Sequence, residues 1–187
     1  IALWIIEKLG KPKALIDLGC GNGRDSFFFH SIGSQVMGLD ASEQVINKNV
    51  NKNAKGDGLL TFIVQDFTKL AEVEIKTDVI YSRFTFHSVT REQSLDTLKW
   101  AYGNLESGGY MCIETRSTND PLCNTGTPVP DQKNAFINTH YRRFTSLEDL
   151  EKDVLSVGFK IVEIYEDRES SWHADDHASV IRVIAQK

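Results

Sequence analysis

The sequence predicts an α/β fold, a three-layer α/β/α sandwich around a mostly parallel sheet, and three observations carry that prediction. Short runs rich in Leu, Ile, Val and Phe alternate with longer segments whose apolar residues recur at helical spacing. The first apolar run, Leu15 to Leu18, opens directly onto Gly19-Cys20-Gly21-Asn22-Gly23-Arg24-Asp25, with three glycines at alternate positions between a strand and a helix. Finally, 187 residues of which 41% are hydrophobic suffice to bury one core without disulfides or metals, so one domain over residues 1–187 is expected. Alternating strands and helices join through right-handed crossovers, which keep the strands parallel and cover both faces of the sheet.

Each element follows in turn. Leu3, Ile6 and Leu9 stand at helical spacing and Gly10 with Pro12 stops the segment, giving a short helix before the first strand. From Asp25 the run SFFFHSIG is the helix after the bend, and SQVMGLD is the second strand. SEQVINKNVNKNAK is a polar-faced helix with Ser42 suited to its N-cap, LLTFIVQDF the third strand and TDVIYSRFTFHSV the fourth. REQSLDTLKWAYGNL is a helix closed near Gly108-Gly109, followed by YMCIETRS as the fifth strand. The stretch from Thr118 to about Asn138 holds three of the four prolines among Asn, Asp and Gly; it is too long for an ordinary connection and reads as an active-site loop or cover. SLEDLEKDVLSVG is the last helix, and FKIVEIYEDRE with ASVIRVIAQK closes the chain as a hairpin.

Charge and cysteines narrow the partners. A net charge of −5 without any block of like charge argues against a nucleic-acid groove, and a small molecule is the expected partner. Three cysteines without CxxC spacing, no signal peptide and no apolar stretch of membrane-spanning length fit a reducing cytoplasm and no membrane. The numbering opens at Ile1 rather than a methionine, so a longer parent chain with a fused domain is a further expectation.

The glycines allow a sharp turn and a close approach of backbone to ligand. Dinucleotide folds use GxGxxG, whereas the spacing here is GxGxG with Asp17 just before it. Asp40, at the end of the second strand, is placed to accept both hydroxyls of a ribose. Asp66, at the end of the third, is placed to accept from an adenine amino group with Phe67 beside the ring. An NAD-dependent oxidoreductase would share the bend and Asp40 but leaves Asp66-Phe67 unexplained.

Taken in order, IDLGCGNGRD, GLDAS, VQDF and GGYMCIE resemble the successive motifs of class I S-adenosylmethionine (SAM)-dependent methyltransferases over nearly the whole chain. Within that superfamily the chain is most similar to the small-molecule branch of TehB-type methyltransferases, some relatives of which sit in bacterial surface-polysaccharide pathways. The resemblance implies a Rossmann-like, seven-stranded sheet with the last strand antiparallel, and S-adenosyl-L-methionine as cofactor. It places Asp17, Gly19, Gly21 and Gly23 at the amino-acid end of SAM, Asp40 at the ribose, and Asp66 with Phe67 at the adenine. Cys20, Asn22, Arg24, Ala41, Ser42 and Ser82 complete that set. A non-catalytic SAM-binding module would use the same residues.

For the acceptor, the expected chemistry is methylation, preferably at oxygen, of a small polar compound bearing an anionic or phosphorylated group. His87 follows the fourth strand and is the candidate general base, with Arg83 beside it and Glu114 and Arg116 on the same rim. HYRRF adds His140, Tyr141, Arg142 and Arg143; adjacent arginines in a strand point to opposite sides, so one of the pair is expected to join Arg83 and Arg116 as fork donors to the anion. Trp172 and His173, with Asp175 and Asp176, lie at the closing hairpin and are expected on the ligand face. HxDDH there has metal-ligand residue types but no further ligand cluster at recognisable spacing, so no metal is expected.

Overall fold

A computed structural model describes residues 1–70, 73–168, 172–173 and 176–187. Helix α1 (Ala2–Leu9) leads into β1 (Ala14–Leu18), α2 (Arg24–Ser31), β2 (Gln35–Asp40), α3 (Glu43–Lys52) and β3 (Leu60–Val64). Then come β4 (Thr77–Arg83), α4 (Arg91–Asn104) and β5 (Leu105–Arg116). The second half adds β6 (Thr127–Pro128), β7 (Ala135–Ile137), β8 (Tyr141–Arg143), α5 (Leu147–Val157), β9 (Lys160–Asp167), β10 (Trp172–His173), β11 (Asp176–His177) and β12 (Val180–Gln186).

Seven strands form the main sheet in the order β3-β2-β1-β4-β5-β12-β9. β1 to β5 pair in parallel, and β12 runs antiparallel to both β5 and β9. The strand order therefore reverses between β1 and β4, and the chain ends of those two strands make the crevice in which open α/β sheets bind ligands.

Period-two alternation separates the two faces. Leu15, Val36, Val79, Tyr81 and Cys112 pack with Ile5 of α1, Phe29 of α2 and Ile46 of α3. Ile16, Leu39, Ile80, Met111, Ile113 and Val183 pack with Leu98 of α4 and Val154 of α5. The helix starts are written locally: Ser42 accepts from the Val45 amide at 3.4 Å, Ser146 accepts from the Asp149 amide at 3.1 Å, and Thr90 with Gln93 forms a reciprocal capping box. Between β3 and β4 the described residues form a one-turn 3-10 helix (Phe67–Lys69), and Ile63 and Val64 of the edge strand are 42% and 46% exposed. Among the described residues no helix is long and apolar enough to cross a membrane.

The region expected as an irregular loop is built differently. β6, β7 and β8 form a small antiparallel sheet, with Thr127 opposite Ile137 and Ala135 opposite Arg143. Pro128 sits on its edge strand, where its missing N–H does no harm. Asn124, Asp131 and Asn134 make its turns in the left-handed region, with φ of 66°, 60° and 56°. Strands of two or three residues are too short to show alternation, so composition alone reads as loop.

Met111 is fully buried at the middle of the sheet. Met111→Ala is expected to cost about 2–5 kcal/mol, read as a lower urea midpoint at unchanged slope.

Candidate cofactor and acceptor site

All three glycines of the bend are left-handed, with φ of 69°, 52° and 77° at Gly19, Gly21 and Gly23. A Cβ on Gly19 would be driven into the Thr85 methyl, and one on Gly23 would lie 3.0 Å from Phe27 and 3.1 Å from Asn49. At Gly21 a Cβ would meet nothing within 4 Å, so that glycine is required by conformation and leaves an open side.

The bend is fastened from β2 and α3. The Gly21 amide donates to Asp40 Oδ2 at 3.0 Å, the Ser42 amide to Asp40 Oδ1 at 2.9 Å, and the Asn49 side chain to the Gly21 carbonyl at 2.8 Å. Each Asp40 oxygen thus spends one acceptor position on backbone and keeps another. Asn49 is a site residue the sequence reading missed. Its only signal is a polar residue three positions after Ile46, on the stripe that α3 buries.

Asp17 is 3% exposed and accepts from the Ser26 hydroxyl at 2.6 Å. Burial pushes its pKa up to about 7, against the pull of Ser26, and Asp25 and Asp40 add to the rise. Asp66 caps the one-turn helix after β3, accepting from the Thr68 amide at 3.0 Å and the Thr68 hydroxyl at 2.7 Å, with Lys69 Nζ at 3.4 Å. Burial works against its ionisation, but these partners outweigh it and hold the carboxyl below the usual range. Phe67 lies nearly parallel to Phe86 with centroids 6.4 Å apart, and a Cβ on Gly19 would reach within 3.8 Å of its ring. Asn22 accepts from the Arg24 amide at 3.1 Å, Ala41 and Arg24 are exposed, and Cys20 is buried with its thiol pKa pushed far up by desolvation. Asp40 and Phe67 therefore both lie against the bend, while Asp17 is buried at the strand end that leads into it.

The opposite rim departs from expectation. Arg83 donates to Glu114 Oε1 at 2.8 Å and to Asp25 Oδ2 at 3.3 Å, and Asp25 also accepts from the Tyr81 hydroxyl at 2.7 Å. Glu114 is 0% exposed; its second oxygen takes Arg182 at 2.7 Å, and Arg182 continues to Asp167 at 2.7 Å. Glu114 is thus the centre of a buried charge chain and not a group facing an acceptor. Arg116 is held by Asp120 at 2.8 Å. Arg143 turns inward to the Val89 carbonyl at 3.1 Å, the Phe86 carbonyl at 3.4 Å and the Ser94 hydroxyl at 2.7 Å. Of the arginines expected to meet an anion, Arg143 is therefore turned inward, and Arg83 and Arg116, which both lie over the Phe84 ring, are already paired with carboxylates, partners that spacing along the chain does not reveal.

Two more candidates are committed elsewhere. The Ser82 hydroxyl is buried against that of Thr85, and the Tyr141 hydroxyl donates to Gln132 at 2.8 Å within the β8 arm. Arg142, on the other side of β8, is half-buried and has no carboxylate partner among the described residues. His87 sits in the one-turn 3-10 helix Phe86–Ser88, buried, edge-on to Phe84 at 5.9 Å. The side chains of Trp172, His173 and Asp176, and all of Asp175, lie outside the described residues. Among the described residues no group of three or more His, Cys, Asp or Glu is placed to hold a metal ion.

A left-handed glycine bend clamped by a β2 carboxylate, at the switch point of a sheet whose only antiparallel member is β12, defines a Rossmann-like methyltransferase class of site. The family model described as a methyltransferase domain matches residues 3–164, and the chain belongs to that family, the class I SAM-dependent methyltransferases, whose cofactor is SAM. An uncharacterised methyltransferase of Schizosaccharomyces pombe is 31% identical over 85 residues, 45% of this chain and 59% of that protein. The probable SAM-dependent methyltransferase TehB of Haemophilus influenzae is 27% identical over 124 residues, 66% of this chain and 42% of that protein. The chain thus spans about half the length of these curated relatives. Its fold matches the 1,6-didemethyltoxoflavin-N1-methyltransferase of Burkholderia thailandensis, crystallised with that compound and S-adenosylhomocysteine, at a TM-score of 0.78 and 16% identity over 100% of this chain and 76% of that one.

Two predictions follow from the buried carboxylates. The folded state binds the Asp17 proton more tightly than the unfolded chain does, so stability falls as pH rises from about 4 to about 7. Asp17→Asn should therefore raise the Tm of the ligand-free protein most at pH 8, less at pH 5 and hardly at all at pH 3, read by scanning calorimetry. Glu114→Gln removes the charge shared by Arg83 and Arg182 and is expected to cost about 3–5 kcal/mol in denaturant unfolding.

Proposed function

We propose that the chain is a SAM-dependent methyltransferase acting at oxygen on a small polar acceptor with one acidic group. The observation that carries this reading is the contact of Gly19 with Thr85: the cofactor bend and the turn bearing Phe84 and His87 touch, so two ligands bound on either side would be adjacent. When bound, SAM supplies an electrophilic methyl on a sulfonium that loses its charge in the transfer and leaves as S-adenosylhomocysteine.

The residues fit that cofactor. Asp40 would take the ribose hydroxyls on the acceptor positions its two backbone bonds leave, and the open side of Gly21 admits close approach of the amino-acid end. Asp17 would face the ammonium through the bend, and Asp66 with Phe67 would hold the adenine. On the acceptor side, His87 would take the hydroxyl proton as oxygen attacks, while the walls around it exclude water and fix the approach. Arg142, one of the arginines expected to meet the anion, would hold the acidic group, since its charge is not matched by a carboxylate among the described residues. The small-molecule acceptor of the Burkholderia enzyme is consistent with this size class.

The test is transfer of labelled methyl from SAM into the small-molecule fraction of a source-cell extract. His87→Gln should lower the rate about 100-fold and Arg142→Ala should raise the acceptor KM about tenfold, both with unchanged SAM affinity. Asp40→Ala should weaken SAM binding at least tenfold in calorimetry. A thermal shift with NAD in place of SAM would point to an oxidoreductase, and SAM binding without transfer to a non-catalytic module.

A further inference from the structure

Asn49 is a polar residue that the packing of its own helix does not call for. It is 0% exposed on the stripe that α3 buries, where Ile46 joins the apolar core. Its Nδ2 donates to the Gly21 carbonyl at 2.8 Å, and a Cβ on Gly23 would lie 3.1 Å from both its Cγ and its Nδ2, so the carboxamide lies against two of the three glycines. The nitrogen is fixed on that side because a carbonyl can only accept. Its Oδ1 is left buried and accepts from nothing among the described residues. A buried acceptor without a donor weakens a fold, and an aliphatic side chain of similar size would fill the stripe without one. The Gly21 carbonyl, and not the core, therefore accounts for the asparagine.

That hydrogen bond sets the orientation of one peptide plane. The Gly21–Asn22 peptide is trans, so its carbonyl and its N–H point in opposite directions. With the carbonyl turned towards α3, the Asn22 N–H points away from it. The neighbouring amides are already used: Cys20 donates to the Leu39 carbonyl at 2.9 Å, Gly21 to Asp40 at 3.0 Å, Gly23 to the Cys20 carbonyl at 3.0 Å and Arg24 to the Asn22 side chain at 3.1 Å. Asn22 is exposed, and its amide is the member of this run that has no acceptor among the described residues. A glycine at position 21 allows many values of ψ, so without Asn49 the peptide is free to turn over and exchange an outward N–H for an outward carbonyl.

We propose that Asn49 is a positioning residue for the cofactor: by holding the Gly21 carbonyl it presents the Asn22 N–H to the carboxylate at the amino-acid end of SAM. A carboxylate is attracted by an N–H and repelled by a carbonyl oxygen, so the orientation of this peptide decides affinity for that end and leaves the adenosine unaffected. The proposal rests on the SAM reading of the bend and names how the bend takes the amino-acid end.

The test compares Asn49→Leu and Asn49→Ala with wild type, with Tm showing which variants are folded; if Asn49→Leu does not fold, Asn49→Ala carries the comparison. Calorimetry reads affinity for S-adenosylhomocysteine, and amide NMR reads affinity for 5′-methylthioadenosine, the same thioether without the amino-acid end. Affinity for S-adenosylhomocysteine should fall about tenfold or more, and affinity for 5′-methylthioadenosine should stay within about twofold of wild type. In wild type the Asn22 amide proton should move downfield on addition of S-adenosylhomocysteine, and this shift decides alone where 5′-methylthioadenosine binds too weakly to measure. A loss shared equally by the two ligands would mark a purely structural role and overturn the assignment. So would an unchanged affinity for S-adenosylhomocysteine, or an Asn22 amide that it does not move. Failure of the wild-type protein to bind S-adenosylhomocysteine at all would overturn the cofactor reading itself and the proposal with it.

Discussion

The close approach of Gly19 to Thr85 is the constraint on which the rest of the site depends. β1 and β4 are neighbours in the sheet, and the chain leaves both at the same end. For the glycine bend and the turn after β4 to pass each other there, position 19 has to lack a side chain and position 84 has to turn left-handed. Around that contact Asp40 holds the Gly21 amide, and Phe67 lies near Gly19 and stacks on Phe86 of the 3-10 helix that carries His87. The bend cannot shift without moving the rim, which makes the geometry of the two halves a single quantity.

Buried charge organises the second layer of the site. From Asp25 through Arg83, Glu114 and Arg182 to Asp167, opposite charges alternate across the ends of α2, β4, β5, β12 and β9. Arg83, Glu114 and Arg182 each lie between two opposite charges, so the chain tolerates burial that a single pair would not offset. It also ties the first turn of α2, which begins at the glycine bend, to the two closing strands. Arg143 plays a comparable part for the β8 arm, fastening it to the turn after β4 and to α4 through three hydrogen bonds. The arm is therefore a built wall beside the rim, made of short strands and left-handed turns.

Much of the fold was legible in the sequence because its signals are local. Short apolar runs such as LLTFIV and VIRVIA, helical spacing in SLEDLEKDVLSV, and caps at Ser42, Thr90 and Ser146 are each written within a few residues. The alternating glycines likewise announce a left-handed bend whatever surrounds them. The β6 to β8 sheet was not legible, since two- and three-residue strands carry no period and exist only through their pairing.

The sequence by itself determined the class of fold, the left-handed glycine bend and the strand-end carboxylates Asp40 and Asp66, because glycine conformation and strand ends are properties of short stretches. Only the tertiary structure decided which charged groups are available. Glu114 meets Arg83 from 31 positions away and Arg182 from 68, and no spacing rule reports such a meeting. The same holds for Asn49, whose carboxamide reaches the Gly21 carbonyl across 28 residues, and for Phe84, whose strain is visible only as a backbone angle. Partners drawn from distant segments are chosen by packing, and packing is a property of the folded chain.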